Sequence, residues 1–355
     1  MTPRERVLTA FAHKEPDRVP VDYTANVEID HALKDHFGLE HRDGEGLLRA
    51  LGVEFRGAWV GYTGPPLHEA PPDRHVDIWG ARTRWVEHVA GGYWDFCDFP
   101  LAGMLTADQV DNWPWPTPDH FNYDALPDRI KACGDHAIAI GGAGVSCILN
   151  SLGFLRGMDE ILCDVATEDP VGMRLVDRFH EINIEITRRV LEVAGPHGDL
   201  FCIGEDLGTQ EGPIINPDTF TRVIRPRTQQ FIDEAKKYDL PVMMHSCGSS
   251  SWAFDELADM GVDIIDTLQP EPANMAPAYL KQQFGHKLAF HGAISTTGVL
   301  SFGTVDEVRD EVKRTLDIMM PGGGYALAPT HAIQSNSPVE NVLTMYETAH
   351  EYGVY

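Results

Sequence analysis

LFCIGEDLGTQEGPIINPDTFTRVIRPRTQQFIDEAKKYDLPVMMHSCG (200–248) is the stretch whose reading decides the fold. It opens on an apolar run, LFCIGEDLG (200–208), that reads as a strand. Asn216-Pro217 then starts a helical pattern over 218–238. Asparagine before a first-turn proline is a helix start with a mechanism: the side chain accepts a free backbone N–H, and proline has none to leave unpaired. The stretch closes on a second apolar run, PVMMHSCG (241–248), in which Val242, Met243 and Met244 read as a buried strand. Two strands separated by a helix are parallel neighbours, because a parallel pair needs a long crossover.

The alternation continues on both sides. Strand-like runs stand at 136–145, 262–270, 287–295 and 324–332, with further candidates at 18–25 and 53–61. Helical patterns cover 171–195 after Asp169-Pro170, 305–320 after Thr304, and 339–353 after Ser337-Pro338. Thr304 with Glu307, Ser337 with Glu340, and Thr2 with Glu5 have capping-box spacing. Strands alternating with helices predict an α/β chain, a single (β/α)8 TIM barrel over residues 1–355. A doubly wound open sheet is the alternative; GGAGVS (141–146) is not its dinucleotide-binding glycine motif. Residues 62–127 break the alternation and carry Trp79, Trp85, Trp94, Trp113 and Trp115. They read as an aromatic-rich insertion over the barrel mouth, serving as a plug or as a lid for an apolar or aromatic ligand.

Composition narrows the function. The net charge of −26, from 28 basic and 54 acidic residues, argues against nucleic acid and anionic membrane as partners. No apolar run reaches the length of a membrane span, and MTPRERVLTAFAHKEPDRVP (1–20) lacks a signal peptide's apolar core. The expected location is cytoplasmic. The six cysteines are scattered without a CxxC pair, which fits reduced, mostly buried thiols.

The C-terminal ends of barrel strands converge on one face, where active sites lie. Here the runs end in Glu205 and Asp206, in His245 and Cys247, near Asp266 and Gln269, at His291 and at His331. His245, Cys247 and His331 with a carboxylate form a ligand set that zinc accepts. A structural histidine beside an inert thiol is the other reading of HSC. A Cys–His nucleophile ranks below both, since i and i+2 spacing orients the pair poorly for proton transfer. Glu205 and Asp206 are candidate catalytic carboxylates. His291 and Gln269 receive no role.

Several motifs together resemble the uroporphyrinogen decarboxylase superfamily over nearly the whole chain. They are TPRERVLTAFAHKEPDRVPVD, DIWGARTRW, NWPWPTP, GEDLGTQEGPIINPDTF, MMHSCGS and GGGYALAPTHAIQSNSPVENVLTMYE. The resemblance implies a (β/α)8 barrel and two branches. The true decarboxylases carry an arginine-rich N-terminal stretch for a substrate with many carboxylates; here VDYTANVEIDHALK follows Pro20 instead. The other branch is the zinc methyltransferases of corrinoid-dependent systems, with His-x-Cys on one strand and a second Cys on a later one. His245 and Cys247 match the first pair, and His331 stands where the second thiolate is expected. The resemblance therefore implies Zn2+ on His245, Cys247 and His331, a small-molecule methyl donor or acceptor, and a corrinoid (cobalamin) carried by a partner protein. Imidazole in place of a thiolate leaves the zinc more positive, which favours polarising the oxygen of a methyl ether and predicts O-demethylation. Methylation of a thiol acceptor, a decarboxylase-like lyase, a structural zinc and a binding module are the alternatives, and a homodimer is compatible with the sequence.

Overall fold

The computed structural model describes residues 1–88 and 91–355. Its strands in chain order are β1 (Phe55–Ala58), β2 (His75–Val76), β3 (Arg82–His88), β4 (Gly91–Cys97), β5 (Ala137–Gly141), β6 (Leu200–Gly204), β7 (Val242–His245), β8 (Ile264–Thr267), β9 (Ala289–Ile294) and β10 (Tyr325–Pro329). Seven of them form one parallel sheet in the order β1-β5-β6-β7-β8-β9-β10. Every strand lies beside the next sheet strand in sequence, so each crossover repeats the last.

The sheet curls strongly. Phe55, Ala137, Leu200, Met243, Ile264, Ala289 and Ala326, one residue from each strand, meet in a single buried cluster. Val7 and Phe11 of the helix Pro3–Phe11 join it and close that end of the sheet. Between β10 and β1 the expected strand 18–25 is present as isolated bridges, parallel from Val21 to Leu327 and from Ala25 to Ile333 and antiparallel from Arg18 to Val354. Buried Glu54 ties this segment to β1. Its carboxylate accepts the Val21 N–H at 2.8 Å and pairs with Arg6 and Arg18 at 2.9 and 2.7 Å. The expected eight strands are thus seven laddered strands and one irregular segment.

The helix starts follow their caps. Thr2–Glu5 and Thr304–Glu307 form reciprocal capping boxes, and Asp169 and Asn216 accept first-turn N–H groups. Ser337 does not cap its helix, which begins at Val339 without a side-chain cap. Its hydroxyl is buried and lies 3.0 Å from that of Ser301, a partner that helix spacing cannot reveal. The helical pattern 218–238 is interrupted by a π turn, Phe220–Ile224, just before Pro226, which has no N–H for the regular ladder.

The insertion expected over 62–127 includes residues 89 and 90, which lie outside the described residues. Around them β2, β3 and β4 make a separate antiparallel ribbon. Its tryptophans divide. Trp79 packs on Phe179 at 4.8 Å, while Trp113 and Trp115 donate their indole N–H groups to the carbonyls of Trp79 and Val110. Trp85 and Trp94 face each other across the ribbon and stay exposed. No described residue of 62–127 lines the cavity at the open end of the curled sheet. Among the described residues, no helix is long and apolar enough to cross a membrane.

Candidate metal centre

At its open end the sheet surrounds a cavity of about 600 Å3. Strand parity explains its polar wall. Alternate residues face inward, so two positions beyond Met243, Ile264 and Ala289 stand His245, Asp266 and His291. The register pairs His245 with Asp266 and Asp266 with His291. Three adjacent strands thus place histidine, aspartate and histidine side by side in one layer.

These groups form a continuous chain. Asp266 accepts from Nδ1 of His245 at 2.6 Å through one oxygen and from Nδ1 of His291 at 2.6 Å through the other. Nε2 of His291 meets Asp22 at 3.2 Å. Burial works against protonation of both histidines, but the neighbouring carboxylates outweigh it. Asp266 and Cys247 hold His245 well above the usual imidazole range, and Asp22 and Asp266 raise His291 to about 10. Burial raises the Asp266 carboxyl, yet hydrogen bonds from the two histidines outweigh it and keep the acid ionised.

With Nδ1 engaged, Nε2 of His245 is the nitrogen left for a metal, as carboxylate–histidine pairs at metal sites require. It lies 3.3 Å from Sγ of Cys247 and 3.8 Å from Oδ1 of Asp206. Asp206, His245 and Cys247 each offer one ligand atom, all within 4.8 Å of one another. Nitrogen, thiolate and carboxylate donors at that spacing fit zinc. The close thiol–imidazole approach differs from the expectation of poor facing. β7 ends at His245, so Cys247 lies in the following turn, where strand alternation no longer applies.

Glycine holds that turn in place. Gly248 has φ +73°, and a Cβ there would lie 2.3 Å from the Gly208 carbonyl oxygen. A Cβ on Gly208 would in turn lie 2.4 Å from the Ser249 nitrogen. The loops after β6 and β7 therefore touch backbone to backbone. The Cys247 N–H donates to Asp206 at 2.8 Å, and Leu207 N–H donates to the Ser246 hydroxyl at 3.1 Å. Asn150 donates to the other Asp206 oxygen at 2.6 Å, fixing the carboxylate.

The other expected site residues lie apart from this cluster. Glu205 is fully buried and does not line the cavity. Its carboxylate accepts from the N–H groups of Ile148 and Leu149 at 2.7 and 3.1 Å, at the start of the helix Ile148–Arg156. Burial pushes its pKa up to about 8, against these hydrogen bonds. His331 lines the cavity at its exposed rim and is not part of the three-residue cluster. Gln269 reaches toward Thr297 at 3.4 Å. Sequence reasoning misses Asp22, Asn150 and the bridging role of Asp266. The parity of Asp266 with His245 and His291 is the signal that finds its bridging role; Asp22, on a segment without a ladder, offers none.

Comparison with known proteins agrees with this architecture. The family model described as uroporphyrinogen decarboxylase (URO-D) matches residues 122–352. The methylcobamide:CoM methyltransferase MtaA of Methanosarcina barkeri is 26% identical over 154 residues, 43% of this chain and 42% of that protein. A uroporphyrinogen decarboxylase of Actinobacillus succinogenes is 25% identical over 137 residues, 39% of this chain and 37% of that protein. The chain thus matches about two-fifths of the length of these curated relatives. A solved methyltransferase from Methanosarcina mazei superposes with a TM-score of 0.63 at 19% identity, covering 99% of both chains, which shows a shared fold. With the family model matching well over half of its residues, the chain belongs to the uroporphyrinogen decarboxylase family.

Proposed function

We propose that the chain is a zinc-dependent methyltransferase of the family's corrinoid-linked branch. It takes the methyl group from the oxygen of a small methoxylated molecule, and a reduced corrinoid carried by a partner protein is the methyl acceptor. The observation that carries this reading is the convergence of Asp206, His245 and Cys247 at the open end of the sheet. Similarity to MtaA supports the branch. Work in the cytoplasm, where thiols stay reduced, suits Cys247 as a thiolate ligand.

Asp206, His245 and Cys247 would hold the metal. A bound zinc ion supplies a Lewis acid for the departing oxygen. Carboxylate plus thiolate brings the same two negative charges as a pair of thiolates, with one soft donor exchanged for a hard one. Asp266 fixes the His245 ring and keeps Nε2 toward the site, and His291 with Asp22 holds Asp266 in turn. His331 at the rim is assigned to the substrate rather than to the metal. Glu205 is assigned to the helix start it caps.

A decarboxylase-like lyase for a substrate with many carboxylates fits the cavity poorly. Its lining includes Asp22 and Asp266, and Arg56, the one arginine among the described lining residues, is already paired with Glu45 at 2.7 Å. A second reading, methylation of a thiol from methylcobalamin, is favoured by what MtaA is named for. One assay separates the two. Zinc-loaded protein with cob(I)alamin and a panel of methoxy compounds is expected to form methylcobalamin, followed by its absorption spectrum. Consumption of methylcobalamin with coenzyme M, and no formation from any methoxy donor, would replace O-demethylation by the thiol reading.

A further inference from the structure

The glycines of the loop after β5 border two cavities. Gly141 and Gly142 line the cavity that holds His245, and they also line a neighbouring cavity of about 390 Å3. The second cavity is walled by the rings of Trp59, Tyr62, Trp79 and Phe121, with Asn183 and Ile186 contributed by the helix Pro170–Ala194. Its size falls within the range of small-ligand sites.

The rings are held by their own contacts. The Tyr62 hydroxyl donates to the Pro65 carbonyl at 2.8 Å, the Tyr62 ring meets Phe121 at 5.5 Å edge-on, and Trp79 packs on Phe179. Asn183 donates through Nδ2 to the Phe179 carbonyl at 3.0 Å, which leaves Oδ1 as an acceptor. No charged side chain is among the described lining residues. Ring faces and edges with a single amide suit a neutral aromatic molecule bearing a hydroxyl. A cation would gain from the ring faces but would find no counter-charge in this cavity.

The loop adds a second observation. A Cβ built on Gly142 or Gly144 meets no atom within 4 Å. The space beside these residues is open, and any side chain placed there would enter it.

We propose that the aromatic-lined cavity seats the ring of a neutral methoxyarene, with the Gly141–Gly142 backbone as the shared wall past which the methoxy group reaches the metal-centre cavity. This rests on the O-demethylation reading and gives it a substrate class. It also makes the expected insertion a wall of the ring site, through Tyr62, Ile78, Trp79 and Phe121, rather than a lid on the metal.

The test is calorimetric titration of zinc-loaded protein with 2-methoxyphenol and, separately, with choline. The wild-type chain is expected to bind 2-methoxyphenol and to prefer it to choline. Gly144→Leu and Ile78→Phe, at lining positions of this cavity that the metal-centre cavity does not share, are each expected to weaken binding by at least about tenfold, with zinc per chain and circular dichroism unchanged. No wild-type binding, preference for choline, or wild-type affinity in both folded variants would overturn the proposal. Ring binding lost in the variants, without methyl transfer in the wild type, would keep the ring site and sink the O-demethylation reading. Methyl transfer from methoxyarenes that both variants leave intact would do the reverse.

Discussion

The ends of β6 and β7 contrast with the end of β10. At the first, Asp206, His245 and Cys247 come within bonding reach of one metal. At the second, His331 lines the cavity that His245 also lines but stays on its rim. Both places end an apolar strand with metal-capable residues, and both lie on the face where barrel sites form. The difference lies in the loops beyond the strands. After β6 and β7 two loops lock through Gly208 and Gly248, with no room for a side chain at either. A strand end sets which face a residue serves; the loop contact sets whether it reaches a shared point.

That contrast can be broken or sharpened experimentally. Cys247→Ser is expected to have the largest effect, lowering metal content from about one zinc per chain to near none by plasma mass spectrometry. Retention of stoichiometric zinc would mean the thiol is not a ligand. Gly248→Val forces a branched side chain into a left-handed backbone and against Gly208. It should cost about 2–4 kcal/mol in urea unfolding and release the metal as well; a variant as stable as wild type would show that the loops need not touch. Asp266→Asn leaves the donors in place and removes the anchor of His245. Zinc affinity, measured against a chelator, should fall about 10–100-fold, and the absorption spectrum of the cobalt-substituted protein should change.

Glu205→Gln acts on pH dependence. The ordinary carboxyl value is 4.5, and the folded one is raised to about 8. Between those values the unfolded chain releases a proton that the folded chain keeps, so this group makes stability fall as pH rises from about 4.5 to 8. Urea unfolding of zinc-free protein across that window should be flatter for Glu205→Gln than for wild type; equal slopes would refute the shift. The smallest effect is expected from His331→Ala, with zinc affinity changed by less than about twofold, the range of surface substitutions. A loss equal to that of Cys247→Ser would erase the distinction between the two strand ends.

Much of this was legible in the sequence because it follows from short-range rules. Six apolar runs from 136 onward became β5 to β10, and Asn216, Asp169 and Thr304 capped the helices they precede. His245 and Cys247 were readable from their place after Met244. The role of Asp206 was not, since its nearness to Cys247 depends on a hydrogen bond across 41 residues and on two interlocked glycines. Glu205 and Asp206 look alike in sequence and part because consecutive side chains leave the backbone on different sides. Glu205 goes under a helix start, and Asp206 turns to the thiol. The irregular segment 18–25 is held by backbone bonds to Leu327, Ile333 and Gly353 and by Glu54 with its arginines, contacts that local periodicity does not encode.

The helix Pro3–Phe11, whose Val7 and Phe11 pack on the buried cluster, closes one end of the curled sheet. At the other end, His245 lines the cavity together with Thr24 and His331. A molecule resting in that cavity lies against His245, so occupancy of the chamber should slow metal exchange even if it leaves metal affinity unchanged.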